Sequence, residues 1–517
     1  MTQVLTKNNI RKQTIETGSL TLLSRGFGLV RELMLARYLG VSDTFWAAYR
    51  IPSFFRKIFA EGALSAAFVP SVVHTMRHGG VREVNSLMTL ACIVFEGLLL
   101  LFCGGILLFA KPLLALLTPG FTAEQISQTI PMLIILTPFV FFISACALFA
   151  GTLQAVNHFF IPAIGPVLFN LVLIIGLLIS MAYNLHTVSF CYLIVIGGMV
   201  QFLAHLMMYF RLNLRFSKPT ENSKTLVGKI LLKFLTCIPG MGMAEVSLFI
   251  DTGFASYIPG AISGLQYANR FMGIPLGVFA TAFSTILLPH FSRISSYAPK
   301  RLSFYLLEST KLVFWVTVPV TLGMMFFAHQ IFYTLFVSEK FSMAQAFMTG
   351  NILIASVAGL FFFSLNKILL NIYYASHNTL LPAIISVISM GANIILNFIL
   401  IRLMQAPGLA LGTTIAAAIQ TGLSLLFLYS HLKFTFYGRA FASFLYRYTI
   451  QLAIIGGGML AAYSLFYYLL GNCSPLVAHF FLQGLGFWLW VGPSCVGAFL
   501  MLLYTRKMFK VKLYFLD

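Results

Sequence analysis

The sequence predicts an all-α, polytopic membrane protein of fourteen transmembrane helices, set out as two six-helix lobes and two C-terminal helices. Three observations carry this prediction. Of 517 residues, 59% are hydrophobic and only 9% are charged, whereas about a quarter of a soluble domain is charged. The apolar residues fall into runs of roughly 20, the length that crosses a hydrocarbon core of about 30 Å. The basic residues gather on one side of those runs. A soluble globular fold is excluded.

The helices are expected near 15–38, 44–76, 86–110, 128–153, 159–183, 187–211, 227–258, 262–290, 304–330, 345–373, 379–402, 408–431, 441–470 and 478–505. Joints marked by Pro and Gly separate them and leave no room for a soluble insert. The organisation is then an N-lobe over 1–210 (spans 1–6), a cytoplasmic linker over 211–229 and a C-lobe over 230–432 (spans 7–12). Residues 433–517 hold spans 13 and 14 and a cytoplasmic tail.

Orientation follows from Lys and Arg. With the N-terminus inside, twenty of them fall in the inside segments, among them Lys7, Arg77, Arg211, Arg293, Lys433 and Arg506. The outside segments hold Lys111, Lys340 and Arg402, with Arg37 at an edge. Such a bias places both termini in the cytoplasm, and an even number of spans agrees with it.

The two lobes are read from a repeat. Ala63-Leu64-Ser65 followed by Pro70 recurs as Ala282-Phe283-Ser284 followed by Pro289. Asn157-His158-Phe159-Phe160-Ile161-Pro162-Ala163-Ile164 recurs as His377-Asn378-Thr379-Leu380-Leu381-Pro382-Ala383-Ile384. The offsets are nearly equal, and six spans preserve orientation, so spans 1–6 and 7–12 read as parallel repeats. That is a transporter architecture.

The net charge of +20 does not point to nucleic acid, because the cations sit in short segments between apolar runs. The seven cysteines form no CxxC pair and mostly lie inside apolar runs, so no disulfide or zinc site is expected. The first apolar stretch carries Arg25 and Arg31, which the core of a cleavable signal peptide would not. Val227-Gly228-Lys229 lacks the upstream glycine of a P-loop, and no HExxH or GxSxG set is present. No enzyme active site is indicated.

Charges within the spans are the informative residues, since each is unfavourable by roughly 2.5–3.5 kcal/mol at mid-membrane. The first span carries Arg25, Arg31 and Glu32, and the second Arg50, Arg56, Lys57 and Glu61. The seventh has Glu245 and Asp251, and the eighth Arg270. Arg25 and Glu32 fall on nearly one helix face, and Lys57 and Glu61 are spaced for a local pair. Mutual neutralisation accounts for some of these charges but not all, because the arginines outnumber the nearby acids. The surplus is expected to line a hydrated cavity. The planar guanidinium suits bidentate phosphate recognition, which suggests a phosphate- or carboxylate-bearing cargo.

The first two spans read Ser24-Arg25-Gly26-Phe27-Gly28-Leu29-Val30-Arg31-Glu32, then Asp43-Thr44-Phe45. In these runs the chain resembles the MurJ (MviN) family of lipid II flippases, in the multidrug/oligosaccharidyl-lipid/polysaccharide exporter superfamily. The longest run extends from Arg50-Ile51-Pro52 through Arg56-Lys57 and Glu61-Gly62 to Pro70. A second match is Tyr267-Ala268-Asn269-Arg270-Phe271, leading to Thr285-Ile286-Leu287-Leu288-Pro289.

The resemblance implies a flippase that moves undecaprenyl-pyrophosphate-linked peptidoglycan precursor (lipid II) from the inner to the outer leaflet by alternating access. It implies a cationic cavity between the lobes for the headgroup, with spans 13 and 14 forming a groove for the lipid tail. Arg25, Arg31, Arg56 and Arg270 match the family's functional arginines. Glu32 matches the acid after the second arginine, and Asp43 and Glu61 match further acidic positions, read as gating or cavity acids. Asn269 and Gly273 stand where family members can carry acids. A sodium site known within the family maps onto Asp251, Asn393, Asn397 and Thr413, with Asn397 where an acid can occur. No other cofactor is implied. The expected partners are lipid II and membrane lipids, and the expected form is a monomer in the cytoplasmic (inner) membrane of a bacterium.

The alternative reading is a small-molecule or multidrug exporter on the same scaffold. An exporter of cationic drugs should carry acids where this chain carries arginines, and a non-transporting scaffold would not need uncompensated buried charge.

Overall fold

The computed structural model describes residues 7–59, 63–298, 301–376, 378–431, 434–435, 437–472, 474–482, 484 and 486–516, with backbone alone at 7–15, 237–244 and a few single positions. Apart from one isolated bridge between Ser338 and Phe341, the described residues hold no β structure. The chain is an all-helical membrane protein. Two compact units divide it, 1–262 and 263–517.

The first unit contains α1 (Lys7–Leu39), α2 (Asp43–Phe59), α3 (Ala63–Leu108), α4 (Ala110–Leu117), α5 (Ala123–Ala155), α6 (Phe160–Ala182), α7 (Thr187–Arg211) and α8 (Glu221–Ala255). Helix α5 is its centre and packs against α2, α3 and α7. Its start is set by a capping box, in which the Thr122 hydroxyl takes the Gln125 N–H and the Gln125 side chain takes the Thr122 N–H. The core buries Leu64, Phe68, Leu87, Phe95, Leu99, Leu148, Phe149 and Phe234.

Two expected boundaries look different here. The span expected at 44–76 is divided between α2 and the start of α3, with 60–62 outside the described residues. The joint expected at 77–85 is a single break at Gly80, whose φ of 67° needs glycine. The stretch 211–229 is no slack tether. Helix α8 begins within it, capped by Thr220. Asn85, Ser86 and Thr89 of α3 accept the backbone N–H groups of Arg215, Thr220 and Ser217 in turn, at 3.1, 2.8 and 3.0 Å. Helix α8 thereby packs along α3 in the first unit.

The second unit follows from α9 (Ala261–Pro275), which begins at the boundary, through a π-turn over Leu276–Thr281 to α10 (Ala282–Tyr297). Pro275 offers no N–H to the turn before it, which is where the helix widens. Then come α11 (Leu302–Phe326), α12 (Ala328–Phe336), α13 (Met343–Val357), α14 (Leu360–Ala375), α15 (Leu380–Met404), α16 (Ala406–His431), α17 (Gly438–Gly471), α18 (Pro475–Leu482) and α19 (Phe487–Thr505).

The span expected at 345–373 is the pair α13–α14, bent by 40°. A Cβ on Gly359 at the bend would lie 2.8 Å from the Thr414 hydroxyl, so glycine lets α16 approach. Segment 506–516 folds back over this unit. Val511 and Leu513 are buried beside Trp315, Phe444 and Tyr448. The Glu308 carboxylate takes the Tyr514 N–H at 3.1 Å and Lys311 Nζ at 2.6 Å.

Among the described residues ten helices are long and apolar enough to cross a membrane, or eleven with the bent pair counted as one span. Helices α1 and α8, of 33 and 35 residues, are each about 50 Å long and span equally well by length. They carry several of the charges that define the site.

Candidate substrate-binding site

In the first unit the charges of α1 separate into two kinds. Arg31 is held from three sides. One guanidinium nitrogen donates to Glu32 Oε1 at 2.6 Å and another to Asn170 Oδ1 at 2.8 Å, with the Phe169 ring 6.0 Å away. Asn170 in turn donates to the Ser24 carbonyl at 3.1 Å, which locks α6 onto α1. Arg31 and Glu32 are nearly buried, and their charges cancel locally. Arg25, two turns earlier, is exposed and makes no hydrogen bond or ion pair among the described residues. It keeps a cationic fork free.

Helix α2 meets α8 through its remaining cations. Arg50 Nε donates to Thr252 Oγ1 at 3.0 Å, beside the buried Asp251. Lys57 Nζ donates to Glu245 Oε1 at 2.7 Å, so its partner lies on α8. Glu61, the spacing-based partner, lies outside the described residues. Arg56 is half-buried between these positions. At the start of α2, Asp43 Oδ2 accepts the Gly260 N–H at 2.6 Å, and Gly260 adopts a φ of 80° that presents it. The expected gating acid therefore holds the turn into α9.

In the second unit Arg270 is exposed on α9, six residues before the π-turn. Asn397 Nδ2 donates to Asn393 Oδ1 at 3.2 Å, and Asn393 Nδ2 to Thr413 Oγ1 at 3.3 Å. The three residues expected on α15 and α16 thus meet in one chain of neutral oxygens, with both asparagines buried. Asp251 belongs to the first unit. Among the described residues no group of three or more His, Cys, Asp or Glu could hold a metal.

Sequence reasoning passed over Asn170 and Lys367. Lys367 was visible as one charge in the apolar run Leu360–Ala375, and it is bonded to Thr281 at 2.7 Å. Asn170 carried no charge, and nothing local marks it.

These arginines, with Arg25 exposed and Arg31 paired, sit in a chain whose relatives can be named. The family model "Lipid II flippase MurJ" matches residues 35–479. The "Probable lipid II flippase MurJ" of Rickettsia prowazekii (strain Madrid E) is 31% identical over 417 residues, covering 78% of this chain and 81% of the relative. That of Rhizobium tropici is 31% identical over 423 residues and 78% of each chain. Among solved structures, a lipid II flippase MurJ in an inward closed conformation superposes with a TM-score of 0.74 at 26% identity, covering 96% of this chain and 99% of that one. An inward-facing multidrug resistance MATE family transporter follows at 0.67 and 15% identity, over 82% and 94% of the two chains. That second likeness is one of fold alone. With the arginine motifs, most of the chain and the fold in agreement, this transporter belongs to the lipid II flippase MurJ family.

Proposed function

We propose that the chain moves lipid II from the cytoplasmic to the outer leaflet of the inner membrane by alternating access. Arg25 and Arg56 of the first unit would serve the anionic headgroup, Arg31 would act structurally through Glu32 and Asn170, and Arg270 would offer the second unit's own anion contact. The observation that carries the reading is the exposed, unpaired guanidinium of Arg25 beside the neutralised Arg31–Glu32 pair. An unpaired arginine in a membrane helix calls for an anion, and its planar fork fits phosphate. The bare apolar middle of α17, with Ile454, Leu460 and Leu465 all more than half exposed, offers a surface for a polyprenyl tail. Both termini would lie in the cytoplasm, and the protein would act as a monomer.

A sodium ion is a second proposal, on the observation that Asn393, Asn397 and Thr413 converge. Their oxygens would hold it within the second unit.

The test is depletion of the protein in cells, complementation by variants and a leaflet-resolved assay of the lipid-linked precursor. Wild type should restore outer-leaflet lipid II, and Arg25→Ala, at equal abundance, should not. Normal outer-leaflet lipid II with Arg25→Ala, Arg56→Ala and Arg270→Ala alike would overturn the headgroup reading. It would leave the small-molecule or multidrug exporter as the better one.

A further inference from the structure

Lys367 is a charge that the reading above leaves unused. It lies in α14 about 12 Å from that helix's end, eight residues at 1.5 Å each. Its ammonium donates to Thr281 Oγ1 at 2.7 Å, and among the described residues it has no carboxylate partner. Thr281 closes the π-turn. Its hydroxyl donates to the Leu276 carbonyl at 3.3 Å, which leaves the oxygen's lone pairs facing Lys367.

One turn beyond the lysine, Asn371 donates to the Ser284 carbonyl and hydroxyl at 2.6 and 2.8 Å. Helix α14 is thus stitched to the π-turn at the lysine and to the start of α10 one turn beyond it.

Two features coincide here: an uncompensated cation and a π-turn. Irregular backbone at membrane depth is tolerated where it lines a water-filled cavity or is buried in protein. An ammonium facing lipid would be strongly disfavoured. One of its three N–H donors goes to Thr281, which leaves two for a ligand.

The geometry points to Lys367, oriented by Thr281, as an anion subsite of the second unit that takes a phosphate or carboxylate oxygen of the carried precursor. The assignment rests on the lipid II reading. Lysine acts here as a point charge, so the subsite tolerates arginine but not a neutral residue.

The test uses the full chain in phosphatidylcholine nanodiscs and fluorescent lipid II as probe, with thermal stability of each variant as the folding control. Lys367→Met should weaken binding about tenfold, Lys367→Arg should stay within about threefold of wild type, and Thr281→Val should fall between. Excess inorganic pyrophosphate should compete in wild type and lose potency in Lys367→Met. Wild-type affinity in a stably folded Lys367→Met, with Arg25→Ala weakened, would overturn the subsite and leave the headgroup reading standing. Wild-type affinity in both would remove that reading as well. If phosphatidylglycerol in the nanodisc, and not pyrophosphate, abolishes the Lys367 dependence, the lysine contacts the bilayer surface and the subsite is wrong. Should Lys367→Met lose its thermal transition, Lys367→Gln and Lys367→Arg decide by the same criterion: a folded Gln variant binding like Arg overturns the subsite.

Discussion

Lys57 and Glu245 stand 188 positions apart and form an ion pair of 2.7 Å that joins α2 to α8. The lysine side chain is 35% exposed and the carboxylate 13%. Partial exposure screens the pair, so a double-mutant cycle on thermal stability should return a coupling of about 1 kcal/mol rather than several. The exchange Lys57→Glu with Glu245→Lys should recover most of the stability that either reversal loses. Equal loss in the exchanged and the singly reversed proteins would mean that these residues act separately.

Arg25 and Arg31 should fail in different ways. Removing Arg31 leaves Glu32 buried beside an empty position, and breaking a buried pair costs about 3–5 kcal/mol. Arg31→Ala should therefore lower membrane abundance and thermal stability. Arg25→Ala should insert at wild-type abundance and lose transport, with Arg25→Lys intermediate. Abundance by immunoblot, read beside flipping, separates the two. A stable Arg31→Ala together with an unstable Arg25→Ala would reverse the assignment.

Topology can be probed with single cysteines on a cysteine-free background. Position 218 suits the inside probe, because Lys218 is exposed whereas Thr220 caps α8. Asn472 is exposed after α17. In intact cells a membrane-impermeant thiol reagent should label position 472 and spare 218. The opposite pattern would invert the proposed orientation.

The amide chain on α15 and α16 yields a packing prediction and an ionic one. A Cβ at Gly412 would lie 2.6 Å from Asn397 Oδ1, so Gly412→Ala should destabilise by about 1–3 kcal/mol through overpacking. If sodium is the coupling ion, Asn397→Asp should make lipid II transport more sensitive to external sodium by adding a negative charge to the site. Identical sodium titrations for wild type and Asn397→Asp would remove the ion from the proposal.

Composition and local order carried most of the architecture. Apolar runs gave the helices, because a bilayer leaves backbone groups no partner but one another. The arginine motifs gave Arg25, Arg31 and Glu32, because they lie within one short segment. Contacts made across the chain were not legible. Spacing pointed Lys57 to Glu61, while its observed partner lies on α8 and can be found only once α2 and α8 pack. Asn170 is polar and uncharged, so it stood out from no composition count, yet it fixes Arg31. In the linker stretch polarity reads as loop, and α8 begins within it. Its serine and threonine in fact cap α8, a signal visible in the Thr220–Ser223 spacing.

The folded-back segment 506–516 sets an order of events during synthesis. Glu308 enters the nascent chain 206 residues before the Tyr514 N–H that it accepts. At translation rates of about 5–20 residues per second, that interval is roughly 10–40 s. For that time α11 stands with its carboxylate tied to Lys311 alone, and once Tyr448 has been added the pocket it forms with Trp315 still lacks Val511 and Leu513. The second unit therefore completes this part of its core only after the chain has been released from the ribosome.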